Sequence, residues 1–192
     1  TKGANLNWSY PITEIQRIGF GIGYEYLELN LGDYVSSQII EDFVSANGNW
    51  FKSVNFNLNW VKSTLNRGIF ATRGTSQRLG LDLSMPGSGL EYYKVTYKGS
   101  HLRGLGKQLS LKLRADLGYG ESYGDTTQMP FFKNFYSGGL GSVRGYKKYT
   151  LGPRNSPQGG FYSYSRPTGG NVQIVLGAEV IFPLPFVKDQ RS

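Results

Sequence analysis

The sequence predicts an all-β fold: a transmembrane antiparallel β-barrel, of which this chain supplies about seven consecutive strands. Three observations carry the prediction. Apolar and polar residues alternate over segments of roughly 9–12 residues, the length at which a tilted strand crosses a bilayer. The apolar faces are almost free of charge and carry aromatics near their ends (Trp8, Tyr10, Trp60, Tyr119, Phe182), as a lipid-facing band does. The opposite faces carry both signs of charge (Arg78, Asp82, Lys112, Arg114, Asp116, Glu179), as a wet lumen requires.

The first strand, 4–10, sets Leu6, Trp8 and Tyr10 against Asn5, Asn7 and Ser9, and Pro11-Ile12-Thr13-Glu14 reads as a short turn. The second, 17–29, lines Ile18, Phe20, Ile22, Tyr24 and Tyr26 on one face and Gly19, Gly21, Gly23 and Glu25 on the other. The period breaks over 31–49. There Ile39, Ile40 and Phe43 fall at helical spacing, so Gln38 to Val44 is expected to form one or two helical turns, ended by Ala46-Asn47-Gly48-Asn49. The third strand, 50–62, opposes Val54, Phe56, Leu58 and Trp60 to Asn55, Asn57 and Asn59.

An irregular connection, Ser63 to Thr75, leads to the fourth strand, 76–85, with Leu79, Leu81, Leu83 and Met85 opposite Arg78, Gly80, Asp82 and Ser84. Pro86-Gly87-Ser88-Gly89 is a reverse-turn signal. In the fifth strand, 91–102, Tyr93, Val95 and Tyr97 oppose Lys94, Thr96 and Lys98. The sixth, 108–119, puts Leu109, Leu111, Leu113, Ala115, Leu117 and Tyr119 on one face. After a long loop, 120–170, the seventh strand, 171–182, presents Val172, Ile174, Leu176, Ala178, Val180 and Phe182, and stops at Pro183 and Pro185.

A soluble antiparallel sheet, apolar inside and polar outside, shares this alternation. The strand lengths and the alternation of short and long connections favour the membrane barrel. Seven strands leave two open edges that lipid cannot satisfy. The chain also ends at Lys188-Asp189-Gln190-Arg191-Ser192 without a terminal apolar strand, so it reads as a consecutive piece of a larger barrel.

Met129 to Pro153 is rich in Gly and aromatics and shows neither a strand nor a helix period. Loops this long are functional or disordered, and Phe131, Phe132, Phe135, Tyr136, Tyr146 and Tyr149 argue against disorder. At its centre, Val143-Arg144-Gly145-Tyr146 frames one arginine with small and apolar residues, so the loop is expected to present Arg144 to a buried partner.

Other chemistries find little support. The net charge of +8 is scattered, apart from Arg144, Lys147, Lys148 and Arg154, which argues against a nucleic-acid partner. With no Cys and only His101, neither a metal site nor a catalytic centre is expected, and no enzyme activity is read from the sequence. No cofactor is expected either: Gly19, Gly21 and Gly23 lack the helix that a phosphate-binding run needs and read instead as relieved crowding on the barrel wall.

Several motifs occur in one order along nearly the whole chain. They are Pro86-Gly87-Ser88 followed by Glu91-Tyr92-Tyr93-Lys94-Val95-Thr96, then Met129-Pro130-Phe131, Asn134-Phe135-Tyr136, Gly138-Gly139, Val143-Arg144-Gly145-Tyr146 and Leu151-Gly152-Pro153. Gly169-Gly170-Asn171 then leads into Glu179 and Pro183-Leu184-Pro185-Phe186. In these the chain resembles the outer-membrane protein assembly factors typified by BamA. It departs from them at 66–74, where Asn66 stands for an acid and Ala71 for a proline, and at 154–168, which is shorter and has no cysteine pair.

The resemblance implies a roughly 16-stranded barrel in the bacterial outer membrane, with this chain as its sixth to twelfth strands. It also implies that the long loop folds back into the lumen and pairs its arginine with acids on the inner wall. Glu179 falls on the lumen face of the next strand, so Arg144–Glu179 is the expected pair. A guanidinium suits bidentate capture by a fixed carboxylate, Gly145 would allow close backbone approach, and Tyr146 would wedge the loop.

By the same resemblance the protein folds and inserts β-barrel proteins into the outer membrane without ATP. Its partners would be unfolded barrel clients, outer-membrane lipid and lipopolysaccharide, and accessory lipoproteins reached through upstream periplasmic domains. The first and last strands of the barrel, which form the family's weak seam, would lie outside this chain. The alternative is a polypeptide-secreting pore of the two-partner type, which carries a similar arginine loop.

Overall fold

The computed structural model describes residues 1–29, 38–106, 109–154 and 167–182, with the side chains of Gln38 and Ile39 left out. The readings of 31–37, Gln108, most of 154–168, the Pro183–Phe186 stop and the Lys188–Ser192 end lie outside these residues. Seven strands form one antiparallel sheet in which each pairs with its sequence neighbours. They are β1 (Lys2–Thr13), β2 (Gln16–Glu28), β3 (Trp50–Ser63), β4 (Gly74–Ser84), β5 (Tyr92–Gly104), β6 (Ser110–Ser122) and β7 (Val172–Ile181), with a helix α1 (Gln38–Asn47) between β2 and β3.

The register aligns the alternation across the whole sheet. Trp8, Phe20, Leu58, Leu81, Val95, Tyr119 and Val172 are successive partners from β1 to β7 and form one continuous apolar row. One residue along, Asn7, Gly21, Asn57, Asp82, Lys94 and Gly120 form a polar row on the other face. A one-residue slip would exchange the two faces, so the pattern itself specifies the pairing.

Burial decides between membrane and water. The apolar face stays exposed, with Ile174 and Leu176 more than two-thirds accessible. The buried cluster of Phe43, Phe51, Leu90 and Tyr92 instead lies at one end of the polar face, where Leu27, Met129, Phe131 and Phe132 pack against it. A soluble sheet would bury its apolar face. This one presents it outward, as a barrel does to lipid.

The larger differences from the sequence reading fall in four places, while other strand ends shift by one or two residues. Pro11 continues β1 instead of opening a turn: it pairs with Arg17, the register shifts between Pro11 and Thr13, and the turn is Glu14-Ile15. β6 continues to Ser122, because Gly120, Glu121 and Ser122 stay paired with Lys94, Tyr93 and Tyr92. Gly118 and Gly120 carry no side chain to mark a face, which is why alternation ends early there. The helix runs on to Asn47 and closes at Gly48, whose φ of 85° lets its N–H reach the Val44 carbonyl at 2.7 Å. The connection from Ser63 to Thr75 is an ordered hairpin end. Asn66 Oδ1 accepts the N–H of Thr72 at 3.1 Å and of Arg73 at 3.2 Å, so the amide supplies the acceptor expected of an acid.

Antiparallel order puts the connections 29–49, 85–91 and 123–171 at one end of the strands and 14–15, 64–73 and 105–109 at the other. The longest connections thus share an end, the outer end of a membrane barrel.

Candidate functional site

The described parts of the connection from β6 to β7, residues 123–154 and 167–171, do not leave the sheet for solvent. They lie along the polar, lumen-facing side and are tied down at successive points. The first tie is at its departure, where Glu91 bridges two loops. One carboxylate oxygen accepts the Gly87 N–H at 2.6 Å and the other the Asp125 N–H at 2.9 Å. The Glu91 N–H donates to Thr126 Oγ1 at 2.8 Å. Gly124, at φ 60°, has no room for a Cβ beside this carboxylate. The N–H groups of Gly87 and then Asp125 hold the Glu91 carboxyl below the ordinary glutamate value.

The second tie is aromatic and charged. Phe131 and Phe132 meet Phe43 of α1 edge-on, with ring centroids 5.7 and 6.3 Å away. Lys133 Nζ lies 3.4 Å from Glu25 on β2. Burial works against the Lys133 ammonium, but Tyr92 and Glu25 together outweigh it and raise its pKa above the ordinary lysine value. Lys94 Nζ donates to the Lys133 carbonyl at 2.8 Å and sits 4.1 Å from the centre of the Phe135 ring.

Two wall glycines make space for this packing. A Cβ on Gly118 would come 2.4 Å from Phe135, and one on Gly120 2.8 Å from Met129. Next, Phe135 pairs with Gly170 as a backbone bridge, and Gln173 Nε2 on β7 donates to Ser137 Oγ at 2.7 Å.

Beyond Ser137 the chain makes its own small hairpin, bridged between Ser137 and Leu151. Its tip carries Val143, Arg144, Gly145 and Tyr146. Arg144 Nη2 lies 3.3 Å from Glu179 Oε2, and Lys112 Nζ lies 3.8 Å from the same oxygen. The contact differs from the expected bidentate clasp: one guanidinium nitrogen meets one oxygen, and the Arg144 side chain stays 65% exposed while Glu179 is 22% exposed.

One further expectation is corrected. Among the described residues nothing lies within 4 Å of where a Gly145 Cβ would be, so that glycine answers to its φ of 89° and not to close approach. Close approach falls instead at Gly138, where a Cβ would come 2.5 Å from the Lys147 carbonyl, and at Gly169, where one would come 2.7 Å from that of Phe135. Tyr146 is 57% exposed and lines an open cleft with Lys98 of β5, Gly139 and Lys148.

Arg114 on β6, in the sequence one of several lumen charges, holds the tip. Its Nη1 donates to the Gly141 carbonyl at 3.2 Å and its Nη2 to the Ser142 carbonyl. Its place on the lumen face was legible, but alternation does not say which lumen cation meets the loop. His101 lies apart from this site, with Nδ1 2.9 Å from Thr75 Oγ1. Among the described residues no group of three or more His, Cys, Asp or Glu could hold a metal ion.

An apolar outer face, a polar inner face and an arginine-bearing loop strapped along the inside define the class: a wall segment of an outer-membrane β-barrel. The whole chain, residues 1–192, matches the Omp85 superfamily domain, and the protein belongs to that superfamily. It is 34% identical over 200 residues to the outer membrane protein assembly factor BamA of Neisseria meningitidis serogroup B (strain ATCC BAA-335 / MC58), a match covering 100% of this chain and 25% of that protein. It also resembles the crystal structure of BamA from Haemophilus ducreyi lacking POTRA domains 1-3, with a TM-score of 0.83 and 26% identity over 98% of this chain and 38% of the other. The chain therefore spans about a quarter of the length of its curated relative.

Proposed function

We propose that this chain is the central barrel wall of an outer-membrane protein assembly factor, which folds and inserts β-barrel proteins into the bacterial outer membrane without ATP or covalent chemistry. The observation that carries the reading is the strap itself. A loop tied along the lumen by Glu91, Lys133, Gln173 and Arg114 obstructs an open pore on this side of the wall. That tells against a wide-open porin, while a two-partner secretion pore with a similar loop would share it. The 34% identity to a relative named as an assembly factor supports the same reading.

In this role the chain supplies a rigid wall and a lumen-side brace, Val143-Arg144-Gly145-Tyr146 against Glu179, while clients engage parts of the barrel outside it. Partners are unfolded barrel proteins, outer-membrane lipid with lipopolysaccharide, and accessory lipoproteins bound through periplasmic domains upstream.

The test reconstitutes the full-length parent protein in proteoliposomes and follows folding of an unrelated barrel client against empty liposomes. Faster folding, weakened by Arg144→Ala, supports the assembly factor. Export of one dedicated polypeptide or ion conductance, with no folding acceleration, identifies a transport pore.

A further inference from the structure

We propose that Arg114 is the positioning residue of the lumen loop, and that Arg144–Glu179 is an exchangeable contact that Arg114 brings into reach. This deepens the reading above and rests on it for its functional meaning. The geometry itself does not depend on that reading.

The two arginines make different kinds of contact. Arg114 is 19% exposed and donates to two consecutive backbone carbonyls, Gly141 and Ser142. Backbone targets fix the path of the chain whatever the side chains nearby. Arg144 is 65% exposed and meets a single carboxylate oxygen that Lys112 also approaches. Two hydrogen bonds from a charged donor, the one to Ser142 part-buried and the one to Gly141 exposed, outweigh a single exposed ion pair screened by water.

The loop transmits what Arg114 holds. The Gly139 N–H donates to the Val143 carbonyl at 3.1 Å, and the Ser142 N–H to the Gly139 carbonyl at 3.0 Å. Residues 139–143 are therefore one tight turn, and fixing Gly141 and Ser142 fixes where Arg144 emerges.

Two wall residues flank Arg114. Its strand partner on β7 is Gly177, where a Cβ would come 3.6 Å from Arg114 Nε. Asp116 Oδ2 lies 3.8 Å from the same nitrogen. A planar fork with fixed donors can span two neighbouring carbonyls, whereas a lysine ammonium offers one point of charge. Glu179, by contrast, keeps a cation in Lys112 if Arg144 leaves, so the Arg144 contact can open without stranding a bare carboxylate on the wall.

The experiment measures a distance by pulsed electron resonance in the full-length parent protein in liposomes. Spin labels replace Leu140 at the loop tip and Leu105 at the opposite strand end, both exposed. The distribution should be narrow in the otherwise wild-type protein and in Arg144→Ala. It should broaden at least twofold in Arg114→Ala and in Arg114→Lys, which retains the charge and guards against a variant that fails to fold. A narrow distribution in Arg114→Lys, or equal broadening in Arg144→Ala, overturns the assignment. Client folding on the same samples separates the two readings: a displaced loop with unchanged client folding sinks the functional reading and leaves the positioning role standing.

Discussion

Glu179 Oε2 lies 3.3 Å from Arg144 Nη2 and 3.8 Å from Lys112 Nζ, so one carboxylate oxygen serves both a loop cation and a wall cation. A lone acid would be left uncompensated whenever the loop moved. A shared one is not.

Lys112 should therefore act as a substitute partner. Arg144→Ala alone should change the stability of the parent barrel by no more than about 1 kcal/mol, the range of exposed ion pairs. Adding Lys112→Ala should cost more than the sum of the two single changes. A double-mutant cycle by denaturant unfolding in detergent checks this, and simple additivity would show that the two cations do not share Glu179.

Phe43 is 1% exposed and touches Phe51, Phe131 and Phe132. Phe43→Ala should cost about 3–5 kcal/mol locally, the usual range for emptying a buried aromatic site. Hydrogen exchange should quicken at the Gly48 amide and around Asn134 while the β3–β4 ladder stays protected. Uniform acceleration would mean that the cluster supports the whole sheet instead of the strap.

The Glu91 clamp should be acid-sensitive. Its folded pKa lies below the ordinary glutamate value, first through the Gly87 N–H and then through that of Asp125. Its contribution is therefore complete above the unfolded-state value and fades as pH falls through the lower, folded one. Amide exchange at Gly87 and Asp125, corrected for intrinsic rates, should rise over that acidic window. Glu91→Gln should remove the pH dependence, and an unchanged profile in that variant would assign it to another group.

Glycine substitutions should rank by space as well as by torsion. Gly145→Ala meets no neighbour among the described residues and carries the left-handed backbone cost of about 1–2 kcal/mol. Gly138→Ala meets that cost at φ 110° and also the Lys147 carbonyl 2.5 Å away. Gly138→Ala should thus disturb the loop more, as protease nicking between Ser137 and Leu151 would report. Equal sensitivity would contradict the close approach.

The wall was legible in the sequence because one physical constraint repeats along it: the Trp8-to-Val172 row is lipid-facing at each strand, and period two exposes it. The site was legible only in part. Arg144 and Glu179 stand out by motif and by face, but Lys112, Arg114 and Asp116 share one lumen face, and period two cannot rank them. Glu91 was visible only within a motif, since its role depends on backbone N–H groups from two loops far apart in sequence. Likewise, Gly118 and Gly120 look like the fraying end of a strand until Phe135 and Met129 are seen to lie over them.

A charge exchange between Arg144 and Glu179 reads whether their contact supports client assembly. Client folding half-times would be measured in proteoliposomes for the full-length parent protein, Arg144→Glu, Glu179→Arg and the combined exchange. Both single variants should slow client folding, and the exchange should recover most of the lost rate. An exchange no faster than the slower single variant would contradict the account.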